Sequence, residues 1–332
     1  MLYTRREIGK LALMAPAASL VDSPLAALAQ THLRQGSGGQ ARKPNSVIGG
    51  VSIGTITYSY RSMPDQSAEA TLRYVVDSGI SQIELMNGPA ESFAGAPQGG
   101  RGGGGGGRRG EAQTPEQQAA QRESAERLKQ WRTSVSIDRF KQLRRMYNDA
   151  GVTIYACKAL NPNMSDQEFE YVFNVAEALG CTHTTLELPT DAAQLKRIGA
   201  FAEKRKIYAA YHTHLQGSMT AFDQAFATSK GNRANIDLGH YVAGTGESPI
   251  PFLHKFHDRI ASVHLKDRQT PAHGAGNLPW GTGDTPLKEI LQVMKKEKYT
   301  FPASIELEYD VPAGSDAVKE VAKCLEYCKA AL

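Results

Sequence analysis

The sequence predicts an α/β fold: a single (β/α)8 TIM barrel with a Gly-rich plus helical insertion after strand two. Three observations carry this. Eight short β-rich runs alternate with eight helical patterns, and strict alternation implies parallel strands. The units repeat at about thirty residues, as βαβ units do. Acidic, His and Lys side chains gather at the C-terminal ends of the later strands, the face on which barrels of this kind carry their active sites. No GxGxxG follows the first strand, which counts against an open dinucleotide-binding sheet.

The elements follow in order. Val47–Ile56 is the first strand, ending near Tyr58-Ser59-Tyr60. The stretch 68–78 is a helix with Leu72, Val75, Val76 and Gly79 on one face, and 81–85 is strand two, with Glu84 in it. Residues 94–132 form the insertion. Gly102 to Gly107 run uninterrupted, and such a run cannot offset its ordering entropy by burial. Without a following Lys-Ser/Thr it is no phosphate-binding loop. A polar helix over 115–132 completes it. The next helix, 137–150, stripes Phe140, Leu143, Tyr147 and Ala150 and ends at Gly151. Strand three is 152–158. Ser165-Asp166-Gln167-Glu168 reads as a capping box for a helix burying Phe169, Val172, Phe173, Ala176 and Leu179. Strand four, 182–188, ends in Glu187. Helix 192–205 leads to strand five, 207–212, then Thr213 and His214. Helix 221–228, strand six at 234–238, helix 249–257 and strand seven at 260–266 come next. Asp284-Thr285-Pro286 opens a helix with Pro in its first turn, burying Leu287, Ile290, Leu291 and Met294. Strand eight is 302–307, and the last helix starts at 317.

At 332 residues, 41% hydrophobic and 22% charged, the chain has the composition of a soluble globular protein with a sizeable core. The net charge of +4 forms no Lys/Arg stripe interleaved with aromatics, so nucleic acid is not an expected partner. Arg5, Arg6 and Lys10 precede the apolar run 11–20, and Ala27-Leu28-Ala29 offers an A-x-A cleavage site. Residues 1–29 therefore read as a Tat-type export signal, which makes the periplasm the expected location. The apolar run is too short to span a membrane. A Gly/Ser/Gln-rich linker, 30–46, follows, and 47–332 form one catalytic domain. The four cysteines, Cys157, Cys181, Cys324 and Cys328, contain no CxxC and read as buried thiols.

The chemistry collects at the strand ends. Strand four gives Glu187, strand five His212 and His214, strand six Asp237 with His240 one turn on. Strand seven gives His264 and, same-facing by the strand period of two, Lys266; strand eight gives Glu306 and Glu308 likewise. Imidazole and carboxylates converging on a barrel mouth make a mixed N/O site suited to one divalent ion, Mn, Mg, Co or Zn, with room for substrate oxygens. No cysteine joins it, which disfavours a thiolate-seeking metal. Glu84 stays open between a solvated or salt-bridged side chain and a site residue. His254, His257 and His273 read as ordinary surface or core histidines.

Several segments together resemble the xylose-isomerase-like TIM-barrel superfamily, the sugar phosphate isomerase/epimerase group. They are Thr57-Tyr58-Ser59-Tyr60, Glu187, Tyr211-His212-Thr213-His214, Ile236-Asp237-Leu238-Gly239-His240, Ser262-Val263-His264-Leu265-Lys266-Asp267, Trp280-Gly281-Thr282-Gly283-Asp284 and Ser304-Ile305-Glu306-Leu307-Glu308. The resemblance runs from about Val47 to the end. It implies that Glu187, Asp237, His264 and Glu306 hold the metal, with Glu308 the rival for the last place. Glu187 and Glu306 would be the catalytic acid/base pair, and His214, His240 and Lys266 would bind substrate. Asp267 and Arg268 would brace the loop. The implied activity is sugar isomerisation or epimerisation through an enediolate, with a small carbohydrate as partner; a homo-oligomer is left open. The chain departs from ketose epimerases. Pro189 to Ala193 supply no second Glu after the first ligand, and no Arg stands at the later place after His264. Those departures and the export signal point to an alternative, an exported lyase or hydratase acting on 3-keto-sugars or 3-keto-glycosides. A non-catalytic sugar-binding barrel and a multi-zinc phosphodiesterase of the endonuclease IV kind are further readings of the same fold.

Overall fold

The computed structural model describes residues 43–97 and 114–332. The export signal, most of the linker and the glycine run lie outside these residues. Eight parallel strands form the barrel: β1 (Val51–Ile56), β2 (Gln82–Met86), β3 (Thr153–Lys158), β4 (His183–Glu187), β5 (Tyr208–His212), β6 (Asn232–Asp237), β7 (Ile260–Leu265) and β8 (Ala303–Ile305). Each pairs with its sequence neighbour, and β1 pairs with both β2 and β8, so the sheet closes. The expected first strand, 47–56, is broken. Gly49 and Gly50 take φ of +56° and +88° and turn Val47–Ile48 back as an antiparallel hairpin onto Val51 and Ser52.

The helices are α1 (Ala68–Asp77), α2 (Asn87–Phe93), α3 (Pro115–Ser134), α4 (Asp138–Asp149), α5 (Asp166–Leu179), α6 (Ala192–Arg205), α7 (Asp223–Thr228), α8 (Leu238–Thr245), α9 (Ile250–Phe256), α10 (Leu287–Lys296) and α11 (Ala317–Ala331). The capping box forms at Ser165 and Glu168. Two helices have no counterpart in the sequence reading: α2, and α8, which Asp237 itself caps. Pro286 precedes α10 as its N-cap rather than sitting in its first turn.

Apolar packing lies outside the barrel sheet. Phe140, Leu143 and Tyr147 of α4, Phe169 and Phe173 of α5, and Leu287, Ile290, Leu291 and Met294 of α10 are all buried there. The interior is polar. Glu84 on β2 reaches His264 on β7, and His183 on β4 reaches Ser262 on β7. These strands are not neighbours, so the contacts cross the lumen. The four cysteines are buried and free.

Candidate metal centre

Register sets the level of each functional side chain. Paired residues of parallel strands face the same way, and Asp237 pairs with His264, His264 with Ser304, and Glu187 with His212. The result is a buried group of four, His212, Asp237, His264 and Glu306, whose ligand atoms all lie within 4.8 Å of one another. Three of these four were expected from the sequence; His212 takes the fourth place.

Asp237 divides its carboxylate. Oδ1 accepts the backbone N–H of His240 at 2.7 Å, capping α8. Oδ2 receives no directed hydrogen bond, although Lys266 Nζ stands 2.9 Å away as an ion-pair partner. Burial pushes its pKa up to about 7 against the pull of Lys266. His264 is clamped at both ring nitrogens: Nδ1 lies 2.9 Å from Glu306 Oε2 and Nε2 2.8 Å from Glu84 Oε2. Carboxylates only accept, so both nitrogens carry protons. Burial opposes that charge, but Glu306 and Glu84 overcome it and raise the pKa to about 10. Burial likewise works against the Glu306 carboxylate, and Lys266 and His264 reverse it, holding its pKa well below the usual range. His212 keeps an unpartnered Nδ1, and burial holds it neutral.

Lys266 is buried with its ammonium 2.8 Å from Glu306 Oε2 and 2.6 Å from Glu308 Oε2. Glu308 therefore converges on the same lysine but stands outside the group of four. Arg268 donates to His240 Nδ1. A guanidinium has no acceptor, so the ring proton of His240 is on Nε2, which lies 3.7 Å from Glu308 Oε2. Burial, Lys266 and Arg268 depress its pKa to about 2.

Asp237 Oδ2 and His212 Nδ1 have lone pairs free of directed hydrogen bonds. Glu306 adds carboxylate oxygen, and His264 would add Nδ1 once an entering cation displaced the proton it shares with Glu306, so the four make a hard-to-borderline N/O set that fits a divalent ion.

A model of the xylose isomerase-like TIM barrel family matches residues 126–328, more than half of the chain and all four buried donors. The chain belongs to the xylose isomerase-like TIM barrel family. An inosose dehydratase of Clostridium tetani is 26% identical over 157 residues, covering 41% of this chain and 52% of that protein. The chain thus spans about half the length of the curated relatives it matches. A sugar phosphate isomerase/epimerase structure from Parabacteroides distasonis superposes with a TM-score of 0.57 at 16% identity, over 86% of this chain and 96% of that one. D-psicose 3-epimerase from Clostridium cellulolyticum H10 gives a TM-score of 0.55 at 9% identity, over 85% and 99%. At those identities the likeness to the two structures is one of fold.

In this member of the xylose isomerase-like family, Glu187 stands apart from the buried group. Its side chain is 50% exposed, with Oε1 2.7 Å from Lys158 Nζ and Oε2 3.8 Å from His214 Nε2. It forms a second, open cluster with His212 and His214. His214 and His240 face each other, ring centroids 4.9 Å apart. Asp267 braces the loop after β7, with Oδ2 accepting the backbone N–H groups of Gly281, Thr282 and Gly283. The sequence reading passed over Lys158 and left Glu84 open. Lys158 ends β3 as Glu187 ends β4, and its place at a strand end is the signal that could have found it. Among the described residues no helix is long and apolar enough to cross a membrane.

Proposed function

We propose that this chain is an enzyme that uses one divalent ion, Mn, Mg, Co or Zn, to move a proton at the carbon beside a carbonyl in a sugar or sugar derivative. The outcome is isomerisation or epimerisation through an enediolate. The observation that carries the proposal is the buried group His212, Asp237, His264 and Glu306 at the C-terminal mouth. In this reading His212 takes the fourth ligand place that the sequence resemblance gives to Glu187. When bound, the ion would serve as a Lewis acid toward the substrate carbonyl.

The remaining roles fall to the polypeptide. Glu187, half-exposed at the end of β4, would take the proton, and Glu306, just past the opposite strand β8, would return or relay it. Lys158 keeps the Glu187 carboxylate oriented. His240 is a neutral donor through Nε2–H, placed to bond a substrate hydroxyl or the developing oxyanion. His214, exposed at the mouth, would bind a further hydroxyl. Lys266 would keep Glu308 as its partner and bond substrate oxygen from the floor of the mouth.

A second reading is favoured by the inosose dehydratases among the curated relatives. Proton removal is the same. A hydroxyl β to the carbanion then leaves as water, taking its proton from His214 or Lys158. This is the lyase or hydratase chemistry expected for a 3-keto-sugar or 3-keto-glycoside. NMR in D2O with a panel of ketoses and 3-keto-glycosides tests both. Exchange without loss of a substituent supports isomerisation or epimerisation, and loss of a β-hydroxyl supports dehydration. No exchange in any substrate overturns the proton-transfer proposal. We also propose that residues 1–29 direct Tat export, which the mass of the mature chain recovered from a periplasmic fraction would test.

A further inference from the structure

Glu84 is a carboxylate with no exposed surface, deep in the lumen below the mouth. Burying such a charge costs several kcal/mol unless charged and hydrogen-bonded partners compensate. Its partners are specific. Oε2 takes the Nε2–H of His264 at 2.8 Å, Oε1 takes the Thr185 hydroxyl at 2.5 Å, and Asn235 Nδ2 approaches Oε2 at 3.4 Å. Asn235 is in turn fixed by Ser262, whose hydroxyl donates to Asn235 Oδ1 at 3.0 Å. These partners lie on β4, β6 and β7, so three strands hold one carboxylate in one orientation.

We propose that Glu84 is a positioning residue for the cation site: it holds the Nε2 proton of His264 and thereby presents Nδ1, the nitrogen facing Glu306, as the ligand atom. The inference rests on the metal reading above. A ring free to turn over would offer either nitrogen and lose entropy on binding; a ring held at Nε2 by an anion has one orientation, and its Nδ1 is the more basic once a cation displaces the proton shared with Glu306. Glu84 itself does not reach the mouth and is not a catalytic residue.

The test is calorimetric titration of the chelator-treated full-length protein with Mn²⁺ alone and with Zn²⁺ alone. The variants are Glu84→Ala, Glu84→Gln and Thr185→Val, the last removing only the hydroxyl that orients Glu84. Removal of such outer partners typically weakens metal affinity about 10–100-fold. We expect the largest loss for Glu84→Ala, about 10-fold for Glu84→Gln, and a smaller loss for Thr185→Val. Turnover of Glu84→Gln should recover as Mn²⁺ is raised to saturation, which a general packing defect would not allow. If Glu84→Ala fails to fold, judged by circular dichroism, the other two variants carry the test. Wild-type affinity in folded Glu84→Gln and Thr185→Val overturns the role of Glu84 alone. No binding of either ion by the wild type overturns the metal reading and this inference with it.

Discussion

Asp237 serves two structures with one side chain. One oxygen caps α8 and the other faces the cation cluster. Asparagine caps a helix as well as aspartate does but brings no charge. Asp237→Asn should therefore keep the fold while losing bound metal, read as ions per chain by elemental analysis after desalting. Glu187→Gln separates the two roles expected of that residue, ligand and base. As a base outside the buried group, its loss should lower kcat about 10²–10⁴-fold with metal content unchanged. Loss of the ion instead would return Glu187 to the ligand set. That Asp237, His264, Glu306 and Lys266 converge could be read from their places at strand ends. That His212 joins them could not, because His212 and His214 look equivalent along the chain. Only closure sends one inward, 2% exposed, and leaves the other at the mouth with a side chain 56% exposed. Glu84 stayed open for a related reason. Its partner is 180 residues away on a strand that is not its neighbour, and no local spacing reports a contact across a lumen.

At the scale of elements, α3 shows how a polar helix is attached. Most of it is exposed; Ser124 is buried and Trp131 packs half-buried against the core. Two side chains attach it: Trp131, edge-on to the Tyr171 ring with centroids 6.1 Å apart, and Arg132, whose Nε lies 2.7 Å from Glu91 Oε1 and whose Nη1 lies 3.6 Å from Glu168 Oε1; Tyr171 adds a hydroxyl bond to Glu91. Glu91 and Arg132 are 8% and 13% exposed in their side chains. Removing one partner of such a pair strands the other, at about 3 kcal/mol. Glu91→Ala should lower the urea midpoint accordingly, whereas a change at exposed Glu123, paired only within α3, should leave it within about 0.5 kcal/mol. The long amphipathic helices were legible because their apolar stripes repeat over three turns or more. Short α2 and α8 were not: α8 contains two glycines and is buried on nearly all sides, so it has no polar face to reveal a period. Gly239 in α8 is there for space, since a Cβ would meet Lys266 Cγ at 2.4 Å.

For the whole molecule, a polar lumen makes stability depend on pH. His183 sits in the barrel floor between Thr182 and Ser262. Burial lowers its pKa from 6.5 to about 4. The folded state then binds fewer protons than the unfolded chain between those values. Its contribution is complete above pH 6.5 and is lost as pH falls toward 4, on the order of 3 kcal/mol. Denaturant midpoints at pH 7 and pH 4.5 should differ more for the wild type than for His183→Gln; equal slopes would remove His183 from the account. The barrel itself was legible from alternation and repeat length, since eight βα units leave few other arrangements. What alternation does not report is that the lumen is filled with acids, imidazoles and hydroxyls rather than with Val, Ile and Leu.

Lys266 holds its ammonium within 2.9 Å of Asp237, Glu306 and Glu308. The polypeptide thus carries a tethered counter-ion for the three acids it crowds together. Assembly of the mouth does not have to wait for a cation from solution, in contrast to small domains that fold only when metal arrives. On the proposed function, loading would be an exchange, one covalently attached monovalent charge giving way to a free divalent one. Protein stripped with a chelator should accordingly keep its circular dichroism spectrum and unfold cooperatively, and Lys266→Met should unfold at lower denaturant, because that substitution removes the one ammonium shared by the three carboxylates and leaves Glu306 only His264 as a charged partner.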